Sequence, residues 1–348
     1  MELNWDTFRP NKEAMVITTL DAHAAGEPLR IITSGLPEVK GGTMLERRRF
    51  MLDHLDYIRQ ALMWEPRGHS NMYGCAITKP VNPEADVGVL FMHNQGYSTM
   101  CGHGIIALVT VLVETGTFPV RGQRTSINLD TPAGLVRATA YLDRSGHVEQ
   151  VSFQNVPSFL YARDVELVLS KYGTLLVDVA YGGAFYAFTS SANVGLKVIP
   201  ENTEQLVAAA EAITTAVNDA ISVEHPLEPD LSFVYGTILI DSAENPVHHS
   251  RNICVFADAE VDRSPTGTGV SARLALHHAR GEIVDGQEII VESVLGSAST
   301  FHGSVKGRAK VGSYDAIVPE VSGKAFITGK HEFFIDKQDE LGKGFLLS

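Results

Sequence analysis

The feature that most constrains this chain is a short pattern that occurs twice, 165 residues apart. At Met100-Cys101-Gly102-His103-Gly104-Ile105-Ile106 and at Pro265-Thr266-Gly267-Thr268-Gly269-Val270-Ser271, a Gly-x-Gly triplet opens an apolar run of helical length. The first run continues to about Glu114. The second continues to about Arg280, where Gly281 supplies a C-terminal stop. The spacing is close to half of the 348 residues, which predicts two similar halves presenting matched helix starts to a shared cleft. A helix start leaves its first N–H groups without intrahelical partners, and glycine clears side chains from in front of them, so each start is a ready anion site. Two facing starts hold one carboxylate from both sides. Fixed donors there also stabilise the charge that develops when the neighbouring carbon loses a proton.

The rest of the chain reads as β-rich. Alternating runs predict strands at Met15–Leu20, Val87–Met92, Leu135–Leu142, Leu175–Val179, Phe233–Ile240 and Glu288–Val294. Met51, Leu55, Ile58 and Leu62 fall at i, i+4, i+7 and i+11 and predict one helix. Leu206, Ala210, Ile213 and Val217 repeat that spacing, with Asn202 or Thr203 as the cap. Strands outnumber helices, so the expected class is α+β, with the active site in the cleft between two β-rich halves that each enclose a central helix. A strand signal gives way to proline at Asn155-Val156-Pro157. The expected division is therefore residues 1–156 and 157–324, with the tail 325–348 returning to the first half.

Cys101 occupies the first helix start and Thr266 the equivalent place in the second. A helix N-terminus favours a thiolate and lowers a cysteine pKa from about 8.5 toward roughly 3.5–7.5. That makes Cys101 a base for a Cα proton. The threonine hydroxyl does not titrate near neutrality and serves only as a hydrogen-bonding group. The bland readings stand beside these: an inert buried thiol for Cys101, a plain N-cap for Thr266, and an ordinary turn for Asp262-Arg263-Ser264-Pro265.

Composition narrows the alternatives. A formal net charge of −13 disfavours nucleic acid as a partner. No apolar segment reaches the roughly 18 residues of a membrane span, and Met1-Glu2-Leu3-Asn4-Trp5-Asp6 has no signal-peptide character. Cys75, Cys101 and Cys254 are odd in number and widely spaced, neither a disulfide framework nor a zinc pattern. A reduced, cytoplasmic setting is expected. His248-His249 and His277-His278 are adjacent pairs whose side chains point apart, without an accompanying metal motif, and read as surface histidines. No phosphate loop, dinucleotide fingerprint or Schiff-base lysine stands out, so no metal and no cofactor are expected.

Five stretches in order resemble the proline racemase family, whose fold is similar to that of diaminopimelate epimerase. They are Asp21-Ala22-His23-Ala24-Ala25-Gly26-Glu27-Pro28, Glu65-Pro66-Arg67-Gly68-His69, Met100-Cys101-Gly102-His103-Gly104, Asp178-Val179-Ala180-Tyr181-Gly182-Gly183 and Asp262-Arg263-Ser264-Pro265-Thr266-Gly267-Thr268-Gly269. The likeness covers nearly the whole chain. Racemases and 4-hydroxyproline epimerases of the family carry a cysteine at both helix starts; here the second position is Thr266. Members with this Cys/Thr pair are similar to trans-3-hydroxy-L-proline dehydratases. The resemblance thus implies cofactor-independent dehydration of trans-3-hydroxy-L-proline to 1-pyrroline-2-carboxylate through the enamine.

With one thiol, a proton is removed from one face and nothing of suitable pKa delivers one to the other, so the carbanion expels the neighbouring hydroxyl. In the trans isomer the α-hydrogen and the hydroxyl share a face. The elimination is then syn, with Cys101 taking the proton and returning it to the hydroxyl. The resemblance further implies that backbone N–H groups of Gly102, His103, Gly267 and Thr268 hold the carboxylate, and that Asp262 and the His103 side chain contact the ring nitrogen. Tyr73 and Phe256 would wall the ring, Tyr73 replacing the usual Phe and offering its hydroxyl to a polar substituent. A homodimer is common in the family. The rival readings are a hydroxyproline 2-epimerase or proline racemase, a non-catalytic imino-acid-binding relative, and a metal-dependent hydrolase.

Overall fold

The computed structural model describes residues 7–120 and 122–347; the acidic Met1–Asp6 stretch lies outside them. Among the described residues there are five α-helices: α1 (Met44–His54), α2 (Asp56–Met63), α3 (Gly102–Glu114), α4 (Thr203–Ala220) and α5 (Gly267–Ala279). The remaining regular structure is almost entirely strand, an α+β fold.

The topology repeats. In the first part of the chain Met15–Ala24 and Glu27–Ser34 form a hairpin. The chain then crosses through α1 and α2 to Tyr73–Thr78, which lies parallel to Glu27–Ser34 and forms a hairpin with Val87–His93. After α3 comes Arg124–Thr131, parallel to Val87–His93, followed by an antiparallel meander through Gly134–Leu142 and Val148–Gln154. The second part follows the same order. Gly173–Tyr181 and Phe185–Ser190 form the hairpin, α4 crosses to the parallel Val234–Asp241, and Ser250–Phe256 pairs back antiparallel. After α5 comes Glu288–Ser293, parallel to Ser250–Phe256, and then a meander through Gly296–Val311 and Tyr314–Gly323. Parallel neighbours need a crossover, and each crossover here is a helix. The two meanders meet where Tyr314–Gly323 pairs with Val148–Gln154. The strand Ala325–Ile335 then lies antiparallel along Met15–Ala24.

The central helices are buried on every side over most of their length, as expected of helices enclosed by sheet. Every residue of α3 from Gly102 to Val113 is buried, as is α5 from Gly267 to Leu276. Ile105, Ile106, Leu108 and Val109 are fully buried, each contributing about 1.5–3 kcal/mol on the usual area scale.

The helix expected through Met51, Leu55, Ile58 and Leu62 is two helices. It breaks at Leu55, whose backbone (φ −125°, ψ 11°) ends α1 and starts α2. All four apolar residues are still buried on one face. The periodicity reported the buried face correctly but did not register the bend. At α4 the Asn202 side chain makes no capping bond, and the Thr203 hydroxyl donates to Pro200 O at 2.7 Å.

Candidate active site

The two glycine triplets bring α3 and α5 together at their starts. A Cβ built on Gly267 would stand 2.6 Å from the Cα of Gly102, and one on Gly102 would run into Gly267. Only glycine at both positions allows this approach. The first intrahelical bonds are Ile105 N–H to Cys101 O and Val270 N–H to Thr266 O. The N–H groups of Gly102, His103, Gly267 and Thr268 therefore precede the bonded part of each helix. They belong to a small cavity lined by Cys101, Thr266, Asp262, Tyr73, Phe256 and their neighbours. Every residue singled out from the sequence lies on this one cavity.

Cys101 is the N-cap of α3, and its sulfur accepts from Gly104 N at 3.2 Å. The His103 Nδ1 stands 3.1 Å from the sulfur. The sequence expectation of a lowered thiol pKa is reversed. Burial pushes the Cys101 thiol well above its ordinary value and the Asp262 carboxylate adds to it, while the Gly104 N–H and the Tyr73 hydroxyl pull the other way. Desolvation outweighs the helix terminus because Cys101 is only 5% exposed and a carboxylate shares its pocket. Burial likewise lowers the pKa of His103, against the pull of Asp262, so the ring is neutral.

Thr266 opens α5 in an unusual way. Its φ of 66° is rare for a β-branched residue, and it makes no side-chain capping bond, so it is not a plain N-cap. Its Oγ1 is buried without a hydrogen-bond partner of good geometry. The Cys254 thiol beside it is close enough to feel it. A strained backbone and an unsatisfied hydroxyl at the cavity wall are held only by the surrounding fold.

Asp262 ends the strand Glu260–Asp262, in register with Cys254. The loop to Thr266 is braced rather than irregular: Ser264 N donates to Asp262 Oδ1 at 2.7 Å and Thr266 N to Ser264 Oγ at 3.1 Å. Glu27, in the first quoted stretch, accepts from Arg263 N at 2.6 Å and ties the two parts of the chain together at the site. Burial raises the Glu27 pKa well above its usual value, with Asp262 adding to it and Arg263 opposing it. Asp21 forms a buried ion pair with Arg30 at 2.8 Å, and Arg67 donates to Phe334 O and Gly342 O in the tail.

The aromatic walls are Tyr73, set edge-on to His103 at 4.8 Å, and Phe256, stacked on Tyr235 at 5.1 Å. Sequence reasoning missed Met100, Tyr186 and Tyr235, which also line the cavity. Tyr186 is hydrogen-bonded to Thr268 Oγ1 at 2.8 Å. As single aromatics on strands, Tyr186 and Tyr235 carry no signal that separates them from core. The paired histidines are less free than expected: His248 stands 2.8 Å from Glu292, His277 2.5 Å from Glu282 and His278 2.8 Å from Asp285.

Comparison with known proteins follows this geometry. The proline racemase family matches residues 19–346. A trans-3-hydroxy-L-proline dehydratase from Bacillus cereus is 49% identical over 337 residues, covering 97% of this chain and 99% of the relative. A 3-hydroxyproline 2-epimerase from Burkholderia multivorans is 43% identical over 331 residues, covering 95% and 98%. The crystal structure of a hydroxyproline epimerase from Agrobacterium vitis, with bound trans-4-hydroxy-L-proline, superposes with a TM-score of 0.89 at 31% identity and covers 96% of each chain. The likeness thus runs from the first strand into the tail, at nearly full length in both partners, and the chain belongs to the proline racemase family.

Proposed function

We propose that this protein dehydrates trans-3-hydroxy-L-proline to 1-pyrroline-2-carboxylate, through the enamine, without a cofactor. The observation that carries the reading is the asymmetry of the cavity, with a thiol at the first helix start and a non-titrating hydroxyl at the second. The name of the Bacillus cereus relative supports the same reaction.

The substrate carboxylate sits between the two helix starts and accepts from the N–H groups of Gly102, His103, Gly267 and Thr268. Its cationic ring nitrogen faces Asp262 and the neutral His103 ring. That cation offsets the Asp262 charge, the second strongest influence holding the Cys101 thiol protonated, so substrate binding itself favours the thiolate. The thiolate then removes the α-proton, and the carboxylate takes up charge against the fixed donors. Thr266 carries no proton that it can release to the other face near neutral pH, so inversion has no donor. The hydroxyl on the adjacent carbon departs instead. In the simplest form, the same sulfur returns its proton to that hydroxyl.

Replacing Cys101 by Ser tests the assignment. Water loss should fall by at least about 10²-fold, the lower range for removing a general base. Turnover within a few-fold of the parent would reject Cys101 as the base. The epimerase among the relatives supports a second reading, inversion at Cα. That reading requires an acid on the Thr266 side.

A further inference from the structure

Behind the aromatic wall lies a buried carboxylate, imidazole and phenol in line. Glu260 Oε1 stands 2.6 Å from His93 Nδ1, and the Tyr235 hydroxyl stands 3.3 Å from His93 Nε2. His93 and Glu260 are each 3% exposed. The second oxygen of Glu260 is buried without a partner. Tyr235 itself lines the cavity beside Cys101. The Tyr73 hydroxyl is bonded to Ser98 Oγ, and its ring stacks on that of His93 at 5.7 Å. The polar groups facing His93 are Glu260 and Gln95 N, the Tyr235 hydroxyl, the stacked Tyr73 ring, and Arg59, which bonds its carbonyl.

Resting on the dehydration reading above, we propose that Tyr235, recharged by the Glu260–His93 pair, is the acid that protonates the departing hydroxyl, leaving Cys101 as base only. The Glu260 carboxylate accepts only, so Nδ1 of His93 is its donor. A proton on Nε2 makes the imidazolium that Glu260 stabilises, and it turns the Tyr235 O–H toward the cavity. When the C3–O bond breaks with its electron pair on oxygen, the Tyr235 proton moves to that oxygen and water forms. Tyr235 recovers a proton from His93 Nε2. The Cα–H electron pair becomes the Cα=C3 bond, and the α-proton stays on sulfur. Before the next turnover the sulfur gives up the α-proton and His93 takes one up, so the site is reset with no net change in protons.

The test uses Tyr235→Phe, which keeps the ring stacked on Phe256 and deletes the hydroxyl, and Glu260→Gln, which puts an amide in place of the carboxylate that holds His93 Nδ1. Both are assayed with trans-3-hydroxy-L-proline in heavy water. The expected result for Y235F is water loss reduced by about 10²–10⁴-fold, with the Michaelis constant changed far less. Recovered substrate should carry deuterium at Cα, because Cys101 still removes that proton. E260Q should also lose water formation, by at least about 10-fold, while its recovered substrate still carries deuterium at Cα, since Nδ1 of His93 then faces an amide in place of a carboxylate. If the parent dehydrates and Y235F dehydrates within threefold of it, sulfur performs both transfers and this proposal is overturned. A parent that forms no unsaturated product removes the underlying reading instead. Should Y235F not fold, E260Q decides: water loss within threefold of the parent's refutes the relay.

Discussion

Replacing Gly267 by Ala separates the helix-start geometry from general stability. The added Cβ would lie 2.6 Å from the Cα of Gly102, whereas carbon atoms in contact sit at about 3.5–4.0 Å. The two starts must therefore separate by about 1 Å. Overpacking of this kind destabilises a fold by about 1–3 kcal/mol. Alanine in place of helical glycine returns up to about 1 kcal/mol, so the net loss is about 0–3 kcal/mol and the variant should remain folded. Activity is another matter. A displacement of about 1 Å between reacting groups costs on the order of 10²-fold, and the carboxylate cradle and the Cys101–substrate distance both depend on this contact. The assay is steady-state water loss alongside thermal unfolding. The expected outcome is a loss of about 10²-fold or more with a modestly lowered Tm. Turnover within threefold of the parent would refute the claim that the touching glycines set the site.

Two further outcomes follow from the cavity's electrostatics and asymmetry. Asp262→Asn removes a charge that holds the Cys101 thiol protonated, so its titration moves to lower pH. Alkylation of Cys101 followed against pH checks this, and an unmoved or raised midpoint contradicts it. In the parent the raised thiol means that reactivity of the free enzyme climbs with pH through the alkaline range. Thr266→Cys aims a second thiol at the face opposite Cys101 and should introduce Cα exchange with inversion; chiral analysis of recovered substrate checks this, and no exchange defeats the single-thiol explanation.

Much of the site was legible because its chemistry is written in the local chain. Glycines at 102 and 267 announce helix starts whose approach only glycine permits, and Cys101 and Thr266 stand at the caps themselves. The topological repeat was barely visible, since strands pair across long sequence distances and many lack clean alternation. Gly296–Val311 is one such strand, 16 residues long, with its burial interrupted along its length. Residues that act through tertiary placement gave no signal. Tyr235 and His93 meet across 142 positions, and Glu27 reaches Arg263 across 236. The direction of the Cys101 shift failed for the same reason: a helix start is a local feature, while the burial and the Asp262 charge that outweigh it come from the assembled fold.

The most direct measurement follows the unaltered protein with trans-3-hydroxy-L-proline in heavy water by NMR. Loss of the C3 hydroxyl and appearance of 1-pyrroline-2-carboxylate, with no D-configured product, is the predicted result. Deuterated substrate of inverted configuration with its hydroxyl retained would contradict the account, because Thr266 would then have to stand in for an acid.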